Sequence, residues 1–437
     1  MSLKTFTGTP ETGVQGNNLV PDLDWFEFII KLAEKCACKY GLKQKSRWRK
    51  YHACHFWEVI VFAILNSLGM EDAAERWNAH KWKRFNENKR RKKEPRKYGG
   101  IHDRQERMAP DRSQVNDFKR RFPRAFIEEL SSIVLREQLF LARELGLVNK
   151  TIDVFVDLTD EPYYGALEVD ESDALHGTNR APGTNRVRKY LGVMVKSGRS
   201  RLFSHLVLAK SGVHKNDYVN DAIDELISWG FKIRRVAGDR EFVSRQLIDR
   251  CIKDGIHYFG PFIKTVNVKK KMKHFLEHGG TGVYRYGLKG RGYWNKKNPA
   301  DTRLVLNTEE EIGLKGIRKE FKDGKTTLKE AMKKIHVFIS TKPLPRAKRR
   351  REGQKRAWIR WYSRRWWIET AFSDLNAFFP AVHARTDAAK TFAMCLRAFL
   401  YNAWLIHRDV GNWETRKKEF CYAVEQENLV SNSFAVV

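Results

Sequence analysis

Cysteine is scarce in this chain. Six thiols are spread over 437 residues, at Cys36, Cys38, Cys54, Cys251, Cys395 and Cys421. That excludes a small disulfide-stapled scaffold and points to a reducing compartment with free thiols. Acidic residues are also short. There are 52 Asp+Glu against 83 Lys+Arg, giving a formal charge of +31 and a sequence pI near 9.9. A surplus of that size points to a polyanionic partner whose counterions are released on binding. The basic residues are interleaved with Trp and Tyr rather than confined to a tail, which favours nucleic acid over a lipid surface. Long hydrophobic runs are missing too. The best apolar stretch, Thr391 to Ile406, is broken by Arg397 and Asn402. It is shorter than the roughly 20 residues that span a bilayer and reads as a buried helix. The first ten residues lack the apolar core of a signal peptide. The expected protein makes no membrane contact, lies in the cytoplasm and, in a prokaryote, associates with the nucleoid.

What is present divides the chain by texture. Residues 1–20 are rich in Gly, Thr and Asn and read as a flexible tail. Residues 21–148 have helical periodicity, with helices expected at Trp25–Leu32, Phe56–Leu65, Ser113–Phe122 and Ala125–Leu145, the last stopped by Gly146. This part is expected to bind DNA. Residues 81–107 are a Lys/Arg-dense connector, either a solvated linker or an arm that orders on DNA. Cys36-Ala-Cys38 with His52-Ala-Cys54-His55 could hold a structural zinc, though the spacing is no standard finger and Cys in amphipathic helices is often core. From Thr151 the texture changes to β-branched runs. A first part of the core, 149–260, reads as three strands, helix, strand, helix, strand, with hairpin chemistry at Lys196–Ser200 and Asn216 as a helix N-cap. Residues 261–353 read as a mainly β insertion. Residues 354–410 return to the core as helices, and 411–437 form an extension. The fold class is α/β, a mixed sheet with flanking helices preceded by a helical domain.

Three acids stand in different settings. Asp157 ends the run Thr151-Ile-Asp-Val-Phe-Val-Asp157, and Asp239 ends Phe231-Lys-Ile-Arg-Arg-Val-Ala-Gly-Asp239. Strand ends and the loops after them are where α/β sheets place ligands. Glu369 lies on a helical face with Tyr362, Arg365 and Asn376, at offsets of three, four and seven. Each acid has a plain structural role open to it. Asp157 and Asp239 could cap turns, Asp153 shares a strand face with Asp157, and a salt-bridged helix face would explain Glu369. Together, two strand-end aspartates and a helix glutamate can converge on a pair of hard divalent cations, which stabilise the attacking and leaving oxygens of a phosphoryl displacement. Arg240, beside Asp239, could balance the acids or hold a phosphate.

The Tyr362, Arg365, Glu369 spacing resembles the signature of DDE insertion-sequence transposases. Ile152-Asp-Val-Phe-Val-Asp-Leu-Thr-Asp-Glu-Pro-Tyr-Tyr-Gly165 resembles the family's first acid block and Ala237-Gly-Asp-Arg-Glu-Phe242 its second. The resemblance covers roughly residues 150–410 and implies a ribonuclease H-like core. It implies Asp157, Asp239 and Glu369 as catalytic, metal-binding acids for two Mg²⁺ ions, with Mn²⁺ as a substitute. It also implies Tyr362, Arg365, Asn376 and Arg240 near DNA. The partners it implies are double-stranded DNA, both terminal inverted repeats and target, bound by a homodimer. The implied reaction is strand cleavage at element ends followed by strand transfer. A nuclease or resolvase on the same core, or a DNA-binding protein that no longer cuts, are the rival readings. One position departs from the family: Asn376 stands where a lysine is usual.

Overall fold

The computed structural model describes residues 59, 74–79, 113–115, 124–163, 175–177, 183–198, 200–289, 299–345, 347–378 and 387–411. The chain forms two compact units, one of residues 1–147 with 373–437 and one of residues 148–372. Most of the expected N-terminal helices, the connector at 81–107, the possible zinc ligands Cys36, Cys38 and Cys54, and the 411–437 extension beyond Gly411 lie outside the described residues.

In the first unit, helix α1 (Arg124–Glu144) buries Phe126, Leu130, Val134 and Leu141, at the spacing of one helical stripe. It runs into Gly146, whose φ of 72° is the left-handed stop expected of it. The fully buried Gln138 amide donates to the Phe399 carbonyl at 3.0 Å, tying α1 to the long C-terminal helix of the same unit. That helix spans Asp387–Gly411 and is buried almost continuously from Thr391 to Ile406, as its sequence suggested. Among the described residues no helix is long and apolar enough to cross a membrane.

The second unit is built on a mixed sheet. Its strands are β1 (Thr151–Pro162), β2 (Leu175–Gly177), β3 (Arg186–Ser197), β4 (Ser200–Ala209), β5 (Lys232–Gly238), β6 (His257–Pro261), β7 (Val283–Leu288), β8 (Ala300–Asn307) and β9 (His336–Ser340). The order is β2-β3-β1-β5-β6-β9-β8-β7, with β4 also paired to β3. β1, β3 and β4 form an antiparallel meander, and β1, β5 and β6 run parallel. Parallel neighbours need crossovers. α2 (Lys215–Ser228) leads from β4 to β5, and α3 (Arg245–Lys253) from β5 to β6. The N-cap of α2 is His214, whose Nδ1 accepts from the Asn216 N–H at 3.3 Å. Asn216, expected as the cap, is buried and donates to the Phe242 carbonyl at 3.0 Å instead.

Residues 261–353 contain the expected strands and also helices α4 (Val266–His278), α5 (Gly313–Lys322) and α6 (Leu328–Lys333). Val268, Met272, Phe275 and Leu276 of α4 keep helical spacing beneath a coat of lysines, which hid the helix from inspection. They share a core with Leu304, Leu306, Ile317 and Val337. β9 pairs antiparallel with β6, so the segment prolongs the sheet. The chain then passes through α7 (Lys348–Tyr362), a 3₁₀ turn at Ser363–Arg365, and α8 (Trp366–Phe378). Within the stretch read as helices, 354–410, this turn separates α7 from α8. Within the 3₁₀ turn, the Ser363 hydroxyl donates to the Arg360 carbonyl at 2.8 Å.

Candidate active site

The parallel register of β1 and β5 ends at Val156 opposite Gly238. The next residues, Asp157 and Asp239, therefore leave two neighbouring strands side by side. Asp157 does not end its own strand, as the turn signals after it suggested. β1 stays paired to β3 as far as Pro162, and Asp157 sits where β1 loses its β5 neighbour. Gly238 is required there, because a Cβ would lie 2.7 Å from Val156 Cγ2 and 3.0 Å from Phe242 Cβ. Asp239 turns the chain. Its Oδ1 accepts from the Arg240 N–H at 2.6 Å and caps the 3₁₀ turn Arg240–Phe242. Arg240 is exposed. Glu241 pairs with Lys215 at 2.7 Å rather than turning to the acids.

Arg365 draws the remaining parts together. Its Nη1 donates to Asp157 Oδ2 at 2.8 Å and its Nη2 donates to Glu369 Oε1, one helical turn on. The other Asp157 oxygen accepts from the Leu158 N–H at 2.9 Å. Burial pushes the Asp157 carboxyl up to about 6. The Arg365 guanidinium and the Leu158 N–H oppose that shift, while the nearby Glu369 and Asp239 charges add to it. Burial also pushes the Tyr362 phenol up to about 12, against the pull of Arg365 and with Asp239 and Asp157 adding. Burial works against the Arg365 charge, but Tyr362, Asp157, Glu369 and Asp239 prevail and its pKa is raised. Five of the seven residues singled out from sequence thus feel one another. Arg240 contributes its backbone only, and Asn376 lies in α8 with its side chain outside the described residues.

Among the described residues, no group of three or more His, Cys, Asp and Glu side chains is gathered tightly enough to hold a metal ion. The donors themselves suit a hard divalent cation: three carboxylates, one of them buried at a raised pKa that a nearby cation would relieve. In this arrangement the positive charge between Asp157 and Glu369 is the Arg365 guanidinium.

Two supports of this geometry were not readable in advance. Asp153, buried on β1, takes a bidentate pair from Arg234 at 2.8 and 2.7 Å. It also accepts from the Trp361 indole N–H at 2.9 Å, and Trp361 packs on Phe155 with centroids 5.4 Å apart. The residue before Tyr362 is thereby pinned to the strand that carries Asp157. The strand period puts Asp153 on one face with Asp157, but nothing in the sequence names its partners. The second support is Gly192, which pairs with Asp157 across β1 and β3. A Cβ there would meet the Phe372 ring, with Cε1 at 2.8 Å, and Phe203 Cε1 at 3.1 Å. Its absence lets Phe372, one turn after Glu369, press onto the sheet.

No curated protein matches the chain. Among solved structures it is similar to a piggyBac transposase, determined by cryo-EM as a synaptic complex with hairpin DNA. The likeness covers 96% of this chain and 83% of that one, at 10% identity and a TM-score of 0.50, and is one of fold. The family model described as a transposase DDE domain matches residues 164–403. That span takes in Asp239, Tyr362, Arg365, Glu369 and Asn376, and begins seven residues after Asp157. It is more than half of the sequence, and the chain belongs to the transposase DDE domain family.

Proposed function

We propose that this transposase cuts DNA at element ends and joins the freed ends to target DNA, using Asp157, Asp239 and Glu369 as its acids. The observation that carries the reading is the shared electrostatic neighbourhood of Asp157, Asp239, Glu369, Arg365 and Tyr362, assembled from β1, the end of β5, the end of α7, the 3₁₀ turn and α8. The strand order β4-β3-β1-β5-β6, antiparallel and then parallel, supports a ribonuclease H-like core in residues 149–260 and 354–410. Residues 261–353 are then an insertion between the second and third acids, and residues 21–148 a helical DNA-binding domain.

In this reading Asp157, Asp239 and Glu369 would hold two Mg²⁺ ions, or Mn²⁺ in their place. Bound divalent ions supply charge stabilisation to the attacking and leaving oxygens of the phosphate. The protein's own contribution is positional. Asp157 and Asp239 are fixed by adjacent strands, and Glu369 by a helix whose approach Trp361 and Phe372 set. Arg365 and Tyr362 present a guanidinium and a phenol where a DNA phosphate would sit, while Arg240 and Asn376 are further candidates for DNA contact. Hydrolysis of the phosphodiester at the element end frees a 3′-OH, whose oxygen forms a new bond to a target phosphorus while the target strand's own 3′-oxygen leaves, so no covalent protein intermediate forms. The similar piggyBac structure holds DNA in a synaptic complex; this supports DNA as the substrate here, and a homodimer is the working form in this proposal.

The experiment offers the purified chain precut DNA ends taken from the sequence flanking its gene, with Mg²⁺ and a plasmid target. Covalent joining of end to plasmid is the expected result. Nicking without joining would reduce the protein to a nuclease, and neither product would remove the proposal.

A further inference from the structure

A group of cations lies on the face of the sheet that carries Asp153 and Asp157. The register places Arg201 of β4 opposite Lys196 of β3, Lys196 opposite Asp153 of β1, and Asp153 beside Arg235 of β5. Four adjacent strands therefore carry a transverse row of three cations and one acid. Antiparallel partners share a face, so the row projects to the side where Trp361 and Trp367 pack on Phe155. The side chains bear this out. Lys196 Nζ is 5.3 Å from the centre of the Trp367 ring and Arg201 Cζ 5.7 Å, and Arg364 Cζ comes to the same ring at 5.6 Å. Arg235 Cζ lies 5.2 Å from the centre of the Trp361 ring.

The three arginines of this group, Arg201, Arg235 and Arg364, face one acid, Asp153. Both oxygens of Asp153 are engaged by Arg234, and one of them also by the Trp361 indole. Among the described residues Arg201, Arg235 and Arg364 make no ion pair, and the Arg201 Nε is a buried donor with no hydrogen-bond partner. The Arg235 pKa is lowered, by burial first; the Asp153 charge opposes that shift, while Arg234 and Arg364 repel it further. Indole faces attract cations weakly, and that hold does not neutralise them. Lys196, Arg201 and Arg235 are half buried and Arg364 is exposed, so like charges gather round two rings at the surface.

The row stands four residues along β1 from Asp157, about 13 Å at strand rise. That is a distance of a few nucleotides along a DNA strand whose phosphate sits at Asp157. We infer that Lys196, Arg201, Arg235 and Arg364 form a phosphate-binding row that grips the DNA backbone beside the reacting phosphate, without reading its sequence. The inference rests on the transposase reading of the acids and adds to it a site that neither the acids nor the Tyr362, Arg365, Glu369 spacing implies. Backbone cations position DNA and carry salt dependence, while base edges carry specificity.

The test uses the full chain as Asp157→Asn, so that bound DNA is not cut, and a short duplex of arbitrary sequence. Binding is measured over a range of salt concentrations. Each phosphate contact removed lowers the slope of log K against log salt by about 0.9 for duplex DNA. The triple change Arg201→Gln, Arg235→Gln, Arg364→Gln should lower it by about 2 to 3. A control that removes the same charge from exposed Lys253, Lys325 and Lys329 should change it far less. Equal slopes in the triple variant and its parent overturn the inference. Should the triple variant fail to fold, acylation of Lys196 in the parent protein decides. Protection by saturating DNA is expected, and an unchanged rate overturns the row. Absence of any DNA binding by the parent would instead sink the transposase reading beneath it.

Discussion

Asp157→Asn should make the metal-free protein more stable at neutral pH, not less. Burial raises the folded-state pKa of Asp157 from 3.8 to about 6. The folded state therefore holds this proton more tightly than the unfolded state. The stability that comes from the neutral carboxyl is fully present below about pH 4. It is lost as pH rises through about 6, where the unfolded chain has already ionised. At about 1.4 kcal/mol per unit, the full penalty is on the order of 2–3 kcal/mol. Asparagine keeps an oxygen for the Leu158 N–H, which donates to Oδ1 at 2.9 Å, and removes the buried charge. It also gives up the Arg365 pair, a loss already outweighed by burial in the net upward shift. Urea unfolding in chelator, at a series of pH values, measures the difference between the two proteins. It should be small near pH 4 and grow to about 2 kcal/mol in favour of the variant by pH 7. Adding Mn²⁺ should then stabilise the wild type and leave the variant nearly unmoved, by the linkage of binding to folding. A variant that is less stable at pH 7 in chelator, or a difference that ignores pH, would refute the reasoning.

Gly192→Ala should destabilise the protein by about 1–3 kcal/mol in denaturant unfolding, because the new methyl meets Phe372 and Phe203 in a packed layer. Cleavage should fall further than stability alone explains, since Phe372 holds the helix of Glu369. Trp361→Phe keeps most of the packing on Phe155 but leaves an Asp153 oxygen without its indole donor; a loss of about 1–3 kcal/mol is expected, read by thermal unfolding. His257 is buried against Trp358 and its pKa is lowered from 6.5 to about 3, chiefly by burial. The folded state refuses a proton that the unfolded chain accepts, so stability is present above about 6.5 and drains as pH falls toward 3. His257→Phe should flatten that acid limb in a pH series of melting temperatures.

Local chemistry explains which parts could be read from the chain. The start of β1 at Thr151, the hairpin at Lys196–Ser200 and the stop at Gly146 carry their signals in a few adjacent residues, whereas the end of β1 at Pro162 does not. Glu369 and Arg365 were legible because a helix repeats its faces, and their ion pair is the i, i+4 contact that spacing predicts. Pairings across long separations were not legible. Asp153 meets Trp361, and Asp157 meets Arg365, across 208 residues in each case, and no local pattern encodes that choice. Gly192 looks like an ordinary strand glycine until the Phe372 ring occupies the space of its missing side chain. α4 was hidden because Lys269, Lys270, Lys271 and Lys273 blur a stripe that still buries Val268, Met272, Phe275 and Leu276.

Asp157, Asp239 and Glu369 are proposed to work as one unit on DNA. The most direct measurement is the rate of Mn²⁺-dependent strand cleavage by Asp157→Asn, Asp239→Asn, Glu369→Gln and the triple combination, on DNA that each protein still binds. Residues that act as a unit are not additive. Every single variant should therefore fall to nearly the same floor as the triple, roughly two to three orders of magnitude below wild type. Wild-type cleavage by any one of the singles, or losses that multiply from single to triple, would contradict the account.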